Sequence, residues 1–162
     1  MFVAHRHWYK PPFPPIFCLV FFAASFLLSI PAGATTGNVI SVLDGDTIEV
    51  LDNQRPERIR LSGIDCPEKG QAYGQKAKDA VADLAFRKED TVKTHGYDKY
   101  TRTIADVLLP DGTNVNHTLV KQGWCWWYRK YAPGDTVLEG LETEARGAEK
   151  GLWADPQPVP PW

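Results

Sequence analysis

Three short segments concentrate the acidic and basic side chains able to do chemistry. They are Asp44-Gly45-Asp46-Thr47, Arg60-Leu61-Ser62-Gly63-Ile64-Asp65-Cys66-Pro67-Glu68, and Asp98-Lys99-Tyr100-Thr101-Arg102. Carboxylates offer hard oxygens to a divalent cation or accept a proton from water. Arginine offers a planar fork that grips two oxygens of a phosphate, which lysine does not. Taken singly, each segment also has an ordinary reading. Asp-Gly-Asp-Thr is a good turn sequence, Asp-Cys-Pro-Glu a strand exit stopped by proline, and Tyr-Thr-Arg a common strand start. Arg60 could pair with Glu49 or Glu57, Arg102 could lie beside Asp106, and Glu68 could enter a helix favoured by its dipole. Asp44 reads as a turn former before it reads as a ligand.

The elements that must position these segments can be traced along the chain. Residues 38–64 read as three strands, with Ile48 and Val50 alternating with polar neighbours, a turn at Asp52-Asn53-Gln54, and alternation again through Arg58-Ile59-Arg60-Leu61. From Tyr73 to Phe86 the period becomes helical, with Ala77, Ala80, Val81 and Leu84 on one face. Residues 89–95 and 102–109 form two more strands, the second ending at Pro110-Asp111-Gly112. Asn114 or Asn116 caps a short helix carrying Leu119 and Val120 and closed by Gly123. Thr136 and Glu139 form a capping box for a last helix with Val137, Leu141, Ala145 and Ala148 inward. The order βββαββαα is that of a five-stranded OB-fold β-barrel with three helices, an α+β fold. Such a barrel binds many things, so the order alone names no function.

Length and composition bound the rest. The 162 residues fit one domain, and 43% hydrophobic with 23% charged residues is a globular composition. The net charge of −2 excludes the bulk basic field of a nonspecific nucleic-acid coat. The first 34 residues stand apart, with Arg6 and Lys10 but no acid. Ile16–Ile30 is uncharged and short of the roughly 20 apolar residues of a spanning helix. With Ala32-Gly33-Ala34 as a cleavage site it reads as a secretory signal, residues 1–34, although its n-region is long and Pro-rich and leaves a retained anchor open. The domain then spans residues 35–154, followed by a Pro-rich tail, 155–162, expected to be extended. The expectation is an exported protein, periplasmic or secreted, without stable membrane association after cleavage. In that compartment Cys66 and Cys125 can bridge or remain separate thiols. No Cys-x-x-Cys pair exists, and His95 and His117 are too few for a zinc site.

In order, VLDGDTIEV (42–50), RIRLSGIDCPE (58–68) and DKYTRTIADVLLPDG (98–112) resemble the staphylococcal nuclease family, as do NHTLVKQG (116–123) and ARGAEKGLW (145–153). The resemblance runs from Asn38 to Trp153 and implies the same five-stranded OB barrel. It implies a Ca2+ site made by Asp46, Asp65 and the backbone carbonyl of Cys66, with Glu68 as general base. It places Arg60 and Arg102 on the scissile phosphate, and Lys99, Tyr100 and Tyr131 on the neighbouring nucleotide. The implied activity is hydrolysis of DNA and RNA phosphodiesters, single-stranded or frayed strands preferred, to 3′-phosphate and 5′-hydroxyl ends, by a monomer.

Two carboxylates and a carbonyl supply about half of the oxygens calcium takes, so weak binding by the free protein is expected, with magnesium a poor substitute. Thr101 stands where many relatives carry glycine, and the loop between Glu68 and Tyr73 is short. A noncatalytic module that binds nucleic acid or protein is the rival from another class, and a calcium-independent nuclease the rival among enzymes. Trp124-Cys125-Trp126-Trp127-Tyr128 reads mostly as packing under the barrel, with Tyr131 or one tryptophan left to meet a base.

Overall fold

The computed structural model describes residues 33–162. The expectations for residues 1–32 lie outside the described residues. Five strands close a barrel in the order β1 (Ala34–Val42), β2 (Thr47–Asp52), β3 (Arg55–Leu61), β6 (Thr103–Leu108), β5 (Glu89–Tyr97). Neighbours run antiparallel except β3 and β6, which pair in parallel through Ile59↔Thr103, Arg60↔Ile104 and Leu61↔Ala105. Antiparallel β1 and β5 close the other seam, from Ala34↔Lys93 to Asn38↔Glu89.

Alternation along the strands fills the barrel. Val39, Ile48, Val50, Ile59, Leu61, Val92, Ala105 and Val107 are all buried, each large side chain contributing roughly 1.5–3 kcal/mol by leaving water. The β2–β3 hairpin turns through Asn53 and Gln54, both at positive φ, matching the twist of the strands they join.

Helix α1 (Gly74–Ala85) buries Gly74, Ala77, Val81 and Ala85. Ala80 and Leu84, expected on the same face, pack at its edge. Helix α2 (Val115–Lys121) is capped by Asn114, whose side chain accepts from the His117 N–H. Asn116 is instead buried and bonds Val107 N–H, Ser62 O and Ala105 O, tying α2 to the barrel. Gly123 follows at φ 75°, where an added Cβ would strike the Lys150 carbonyl.

Helix α3 (Thr136–Gly147) corrects two expectations. Its N-cap is Asp135, accepting from Val137 and Leu138 N–H, so Thr136 is already helical. Its buried face is Leu138, Glu142 and Ala145, while Val137 and Ala148 are exposed. A glutamate takes the inner position because Trp127 N–H and Arg129 satisfy its two oxygens, with Arg146 nearby.

Two dipeptide strands were not foreseen. They are β4 (Ile64–Asp65) and β7 (Trp126–Trp127), paired through Ile64↔Trp127 and Asp65↔Trp126. Beside them Cys66 and Cys125 form a disulfide. A 3₁₀ turn, Gly151–Ala154, buries Leu152 and Trp153 against Trp126 and Ala145. No helix among the described residues is long and apolar enough to cross a membrane.

Candidate active site

The turn between β1 and β2 places the first carboxylate. Leu43 and Asp44 N–H both donate to the Thr47 carbonyl, and Gly45 N–H to the Asp44 side chain. Gly45 is required by contact, since a Cβ there would lie 2.8 Å from those of Cys66 and Ala77. Asp46 is thereby driven inward and is 4% exposed. Its Oδ1 accepts from the Thr47 hydroxyl and its Oδ2 from Cys66 N–H at 2.9 Å, and the same Oδ2 forms an ion pair with Arg60 at 3.0 Å.

Strand β3 and its exit place the next three residues. Arg60 spans the gap between Asp46 and Asp65, donating to Asp65 and to the Ile64 carbonyl at 3.0 Å and ion-paired with Asp46. The pairing with Glu49 belongs to Arg58 instead. Asp65 is fixed by its rung to Trp126 and, one residue on, by the disulfide. Beyond Pro67, Glu68 is exposed, and its backbone is locked by an exchange of bonds with Gln71. Gly74 permits this loop, because a Cβ there would stand 2.1 Å from the Glu68 carbonyl oxygen.

Burial dominates the electrostatics. It raises the proton affinity of Asp46, with Arg60 opposing it. It pushes Asp65 to about 6, again against Arg60 and with Asp46 adding repulsion. Glu68 rises to about 7, first through its hydrogen bond with the Asp44 carboxyl, then through burial and the neighbouring Asp44, Asp46 and Asp65. Four carboxylates thus meet at one end of the barrel with one guanidinium spanning two of them. Their oxygen chemistry fits a hard divalent cation. The arrangement is not a finished cage, since no three acidic, histidine or cysteine side chains among the described residues are already disposed around one point. A cation held there shares Asp46 and Asp65 with Arg60.

The third segment shares a cleft with Arg60. Arg102 is held by Asp98, which accepts from its Nε at 2.7 Å and from its N–H at 2.9 Å. Its Nη1 reaches the Thr47 hydroxyl, next to Asp46. Some burial raises the Asp98 carboxyl, but bonds from Arg102 and from Tyr100 N–H outweigh it and hold it below the usual range. Thr101 takes φ 65° to make this turn. The cleft holds about 490 Å³ and is lined by Arg60, Arg102, Lys99, Tyr100 and Tyr131 together with Ser62 and Ile104. Asp46, Asp65, Cys66 and Glu68 do not line it: Asp46 and Asp65 pair with Arg60, Cys66 N–H donates to Asp46, and Glu68 is bonded to Asp44.

Sequence reasoning missed three contributors. Asp98 clamps Arg102, and its four-residue spacing was the available signal. Tyr97 and Tyr128 also line the cleft. Tyr97 is 72% exposed at the end of β5, whereas Tyr128 was hidden in a run otherwise given to packing, as Trp126 and Trp127 are. Arg129 is engaged by Glu142 and by the Trp127 ring.

Known proteins share this arrangement of segments. The family described as staphylococcal nuclease homologue matches residues 58–155. An "Uncharacterized endonuclease" of Escherichia coli O157:H7 is 48% identical over 126 residues, 78% of this chain and 82% of that protein. The "Micrococcal nuclease" of Shigella flexneri is 43% identical over 150 residues, 86% of each chain. "Protein ParB" of Escherichia coli is 41% identical over 149 residues, 86% of this chain and 84% of its own. The barrel, its helices and these alignments agree, and the chain belongs to the staphylococcal nuclease family.

Proposed function

We propose that the protein is a calcium-dependent nuclease that hydrolyses DNA and RNA phosphodiesters, leaving 3′-phosphate and 5′-hydroxyl ends. The observation that carries this reading is the convergence of Arg60 and Arg102 on one cleft, with Arg60 also ion-paired to the Asp46 and Asp65 carboxylates. Nuclease names among the relatives support the same class of substrate.

A phosphodiester in the cleft meets two guanidinium forks, each able to take two oxygens as charge grows on them. Asp98 holds Arg102 ready, so little side-chain order remains to be gained on binding. Glu68 takes the role of general base in this reading, its raised proton affinity beside Asp44, Asp46 and Asp65 suiting a group that accepts a proton from water. Asp46, Asp65 and the Cys66 carbonyl would hold calcium, which when bound polarises the phosphoryl oxygen and offsets its negative charge. Arginine stays protonated, so the leaving 5′-oxygen takes its proton from solvent. Lys99, Tyr100 and Tyr131 receive the neighbouring phosphate and base. The reading extends to a monomer working outside the cytoplasm, supported by the Cys66–Cys125 disulfide, a bond that persists in oxidising compartments.

The test is cleavage of single-stranded DNA, duplex DNA and RNA with calcium, with magnesium and with chelator, beside Glu68→Gln. Expected are calcium-dependent cleavage, product ends that ligate only after 3′-dephosphorylation and 5′-phosphorylation, and a loss of about 10²–10³-fold in the variant. Absence of cleavage by folded protein with calcium overturns the proposal. Cleavage that survives chelation overturns its calcium step.

A further inference from the structure

The tail beyond the 3₁₀ turn does not run free. Asp155 accepts from Gln157 N–H, and Pro158 and Val159 border a crevice of about 240 Å³ with Pro67, Tyr73, Trp126 and Leu152. The tail then delivers Trp162 onto Tyr128, with ring centroids 5.0 Å apart and planes within 10° of parallel. Trp126 meets the same indole edge-on at 5.8 Å. Tyr128 lines the catalytic cleft and touches Tyr131 edge-on at 4.9 Å. The rings of Tyr131, Tyr128 and Trp162 therefore form a continuous row leading out of the cleft.

The two ends of this row are open. Tyr131 is 68% exposed and Trp162 56%, although Trp162 has Tyr128 stacked on one face. A large indole held by a stack on Tyr128 and an edge contact with Trp126, yet 56% exposed, presents π surface at low entropic cost. Nucleobases stack on such surfaces without regard to sequence. Lys99 lines the adjoining cleft, and Lys130 lies 5.4 Å from the Tyr131 ring centroid, so positive charge for a phosphate backbone flanks the row.

We infer that Trp162, presented by the folded-back tail on Tyr128, is a stacking subsite for a base of single-stranded nucleic acid lying outside the cleft. The inference rests on the nuclease reading of that cleft and adds a contact reaching beyond the scissile nucleotide. Duplex bases are already stacked and paired, so the subsite favours single strands. A strand anchored there as well as at Arg60 and Arg102 is also held in line with the cleft.

Binding separates the inference from the nuclease activity. Fluorescence anisotropy of a labelled single-stranded 12-mer is measured in chelator with the full chain, Trp162→Ala and Trp162→Phe, beside a duplex of the same sequence. Trp162→Ala is expected to weaken single-strand binding roughly tenfold, well within the range of one base–aromatic stack, with less than a twofold change for duplex. Trp162→Phe keeps an aromatic face and is expected to restore most of the affinity. In calcium, the alanine variant should raise KM for the 12-mer far more than it lowers kcat.

A purely structural tryptophan would lower the melting temperature without this strand selectivity, and that result overturns the inference. So does tighter binding by Trp162→Ala, which would mean that the indole occupies the place of a base. Failure of the wild-type protein to cleave, with the single-strand effect of Trp162 intact, overturns the nuclease reading alone.

Discussion

The two ends of the barrel bury aspartates in opposite ways. At the cleft end, Asp46 and Asp65 are nearly inaccessible, yet Arg60, Thr47 and Cys66 N–H supply donors to their oxygens. At the other end, Asp90 near the start of β5 is fully buried opposite Gly37, and neither of its oxygens has a partner. Burial pushes Asp65 and Asp90 alike to about 6, but only Asp65 has a guanidinium working against the shift. Depth alone therefore does not mark a site. What separates the two is direct bonding: Lys88 opposes the Asp90 shift through its charge alone and no donor reaches the Asp90 oxygens, whereas Asp65 receives the Arg60 guanidinium.

The sharpest way to break that contrast is to take the guanidinium away. Arg60→Ala leaves two carboxylates buried without their counter-charge, and breaking such a pair costs about 3–5 kcal/mol. In chelator, urea unfolding should show a loss of that order, smaller in calcium if a cation takes over the counter-charge. Cleavage should fall about 10²–10³-fold. Unchanged stability in chelator would mean that Arg60 is not what makes the cleft-end burial tolerable.

Next is the disulfide, which ties the Asp65–Glu68 exit to the tryptophan strand and does nothing for Asp90. Cys66→Ala with Cys125→Ala should cost about 2–4 kcal/mol, the range for a bridge closing a loop of this length. Hydrogen exchange should rise at residues 64–68 and 125–127 while 89–92 stay protected. Uniform loosening would erase the distinction between the ends.

Asp90→Asn tests the unpartnered end. The folded protein holds the Asp90 proton up to about pH 6, whereas the unfolded chain releases it near 3.8. Stability from this group is thus greatest at low pH and declines as pH rises through that interval. The substitution should stabilise by roughly 3 kcal/mol at pH 8, with the gain vanishing by about pH 4. Subtracting wild-type from variant unfolding free energies across pH isolates this from Asp46 and Asp65. A gain independent of pH would show that charge is not the cause.

The smallest effect belongs to Thr101, held at φ 65° beside Arg102. Thr101→Gly should raise stability by about 0.5 kcal/mol, strain relief being partly cancelled by glycine's entropy. A thermal melt measures it, and a loss would show that the threonine side chain compensates its own strain.

Much of the cleft end was legible because its determinants are local. Asp46 follows from a four-residue turn, Asp65 and Glu68 from a strand exit, and Arg102 from a strand start, and the alternation of β2 and β3 fixed which residues faced in. What was not legible depends on partners far along the chain. Glu142 reads as a surface residue until Trp127 N–H and Arg129 are brought to it, which is why Val137 and Ala148 were expected inside α3. Asp135 and Thr136 are both good caps, so the choice between them is made by the loop before them. Tyr128 lies in an aromatic run of packing residues, and only the meeting of that run with the Asp98–Arg102 turn shows that it borders the cleft. Spacing left the two cysteines open, and the β4–β7 pairing brings them together.

The parallel seam between β3 and β6 has a consequence for how activity arises during folding. The β1–β2–β3 meander and the β5–β6 hairpin can each form from near neighbours, but their union requires a long loop to close first. Arg60 belongs to one piece and Arg102 to the other. A chain with both pieces formed and the seam open has every motif in place but not the cleft that Arg60 and Arg102 line together, so assembly of that cleft reports closure of the whole barrel.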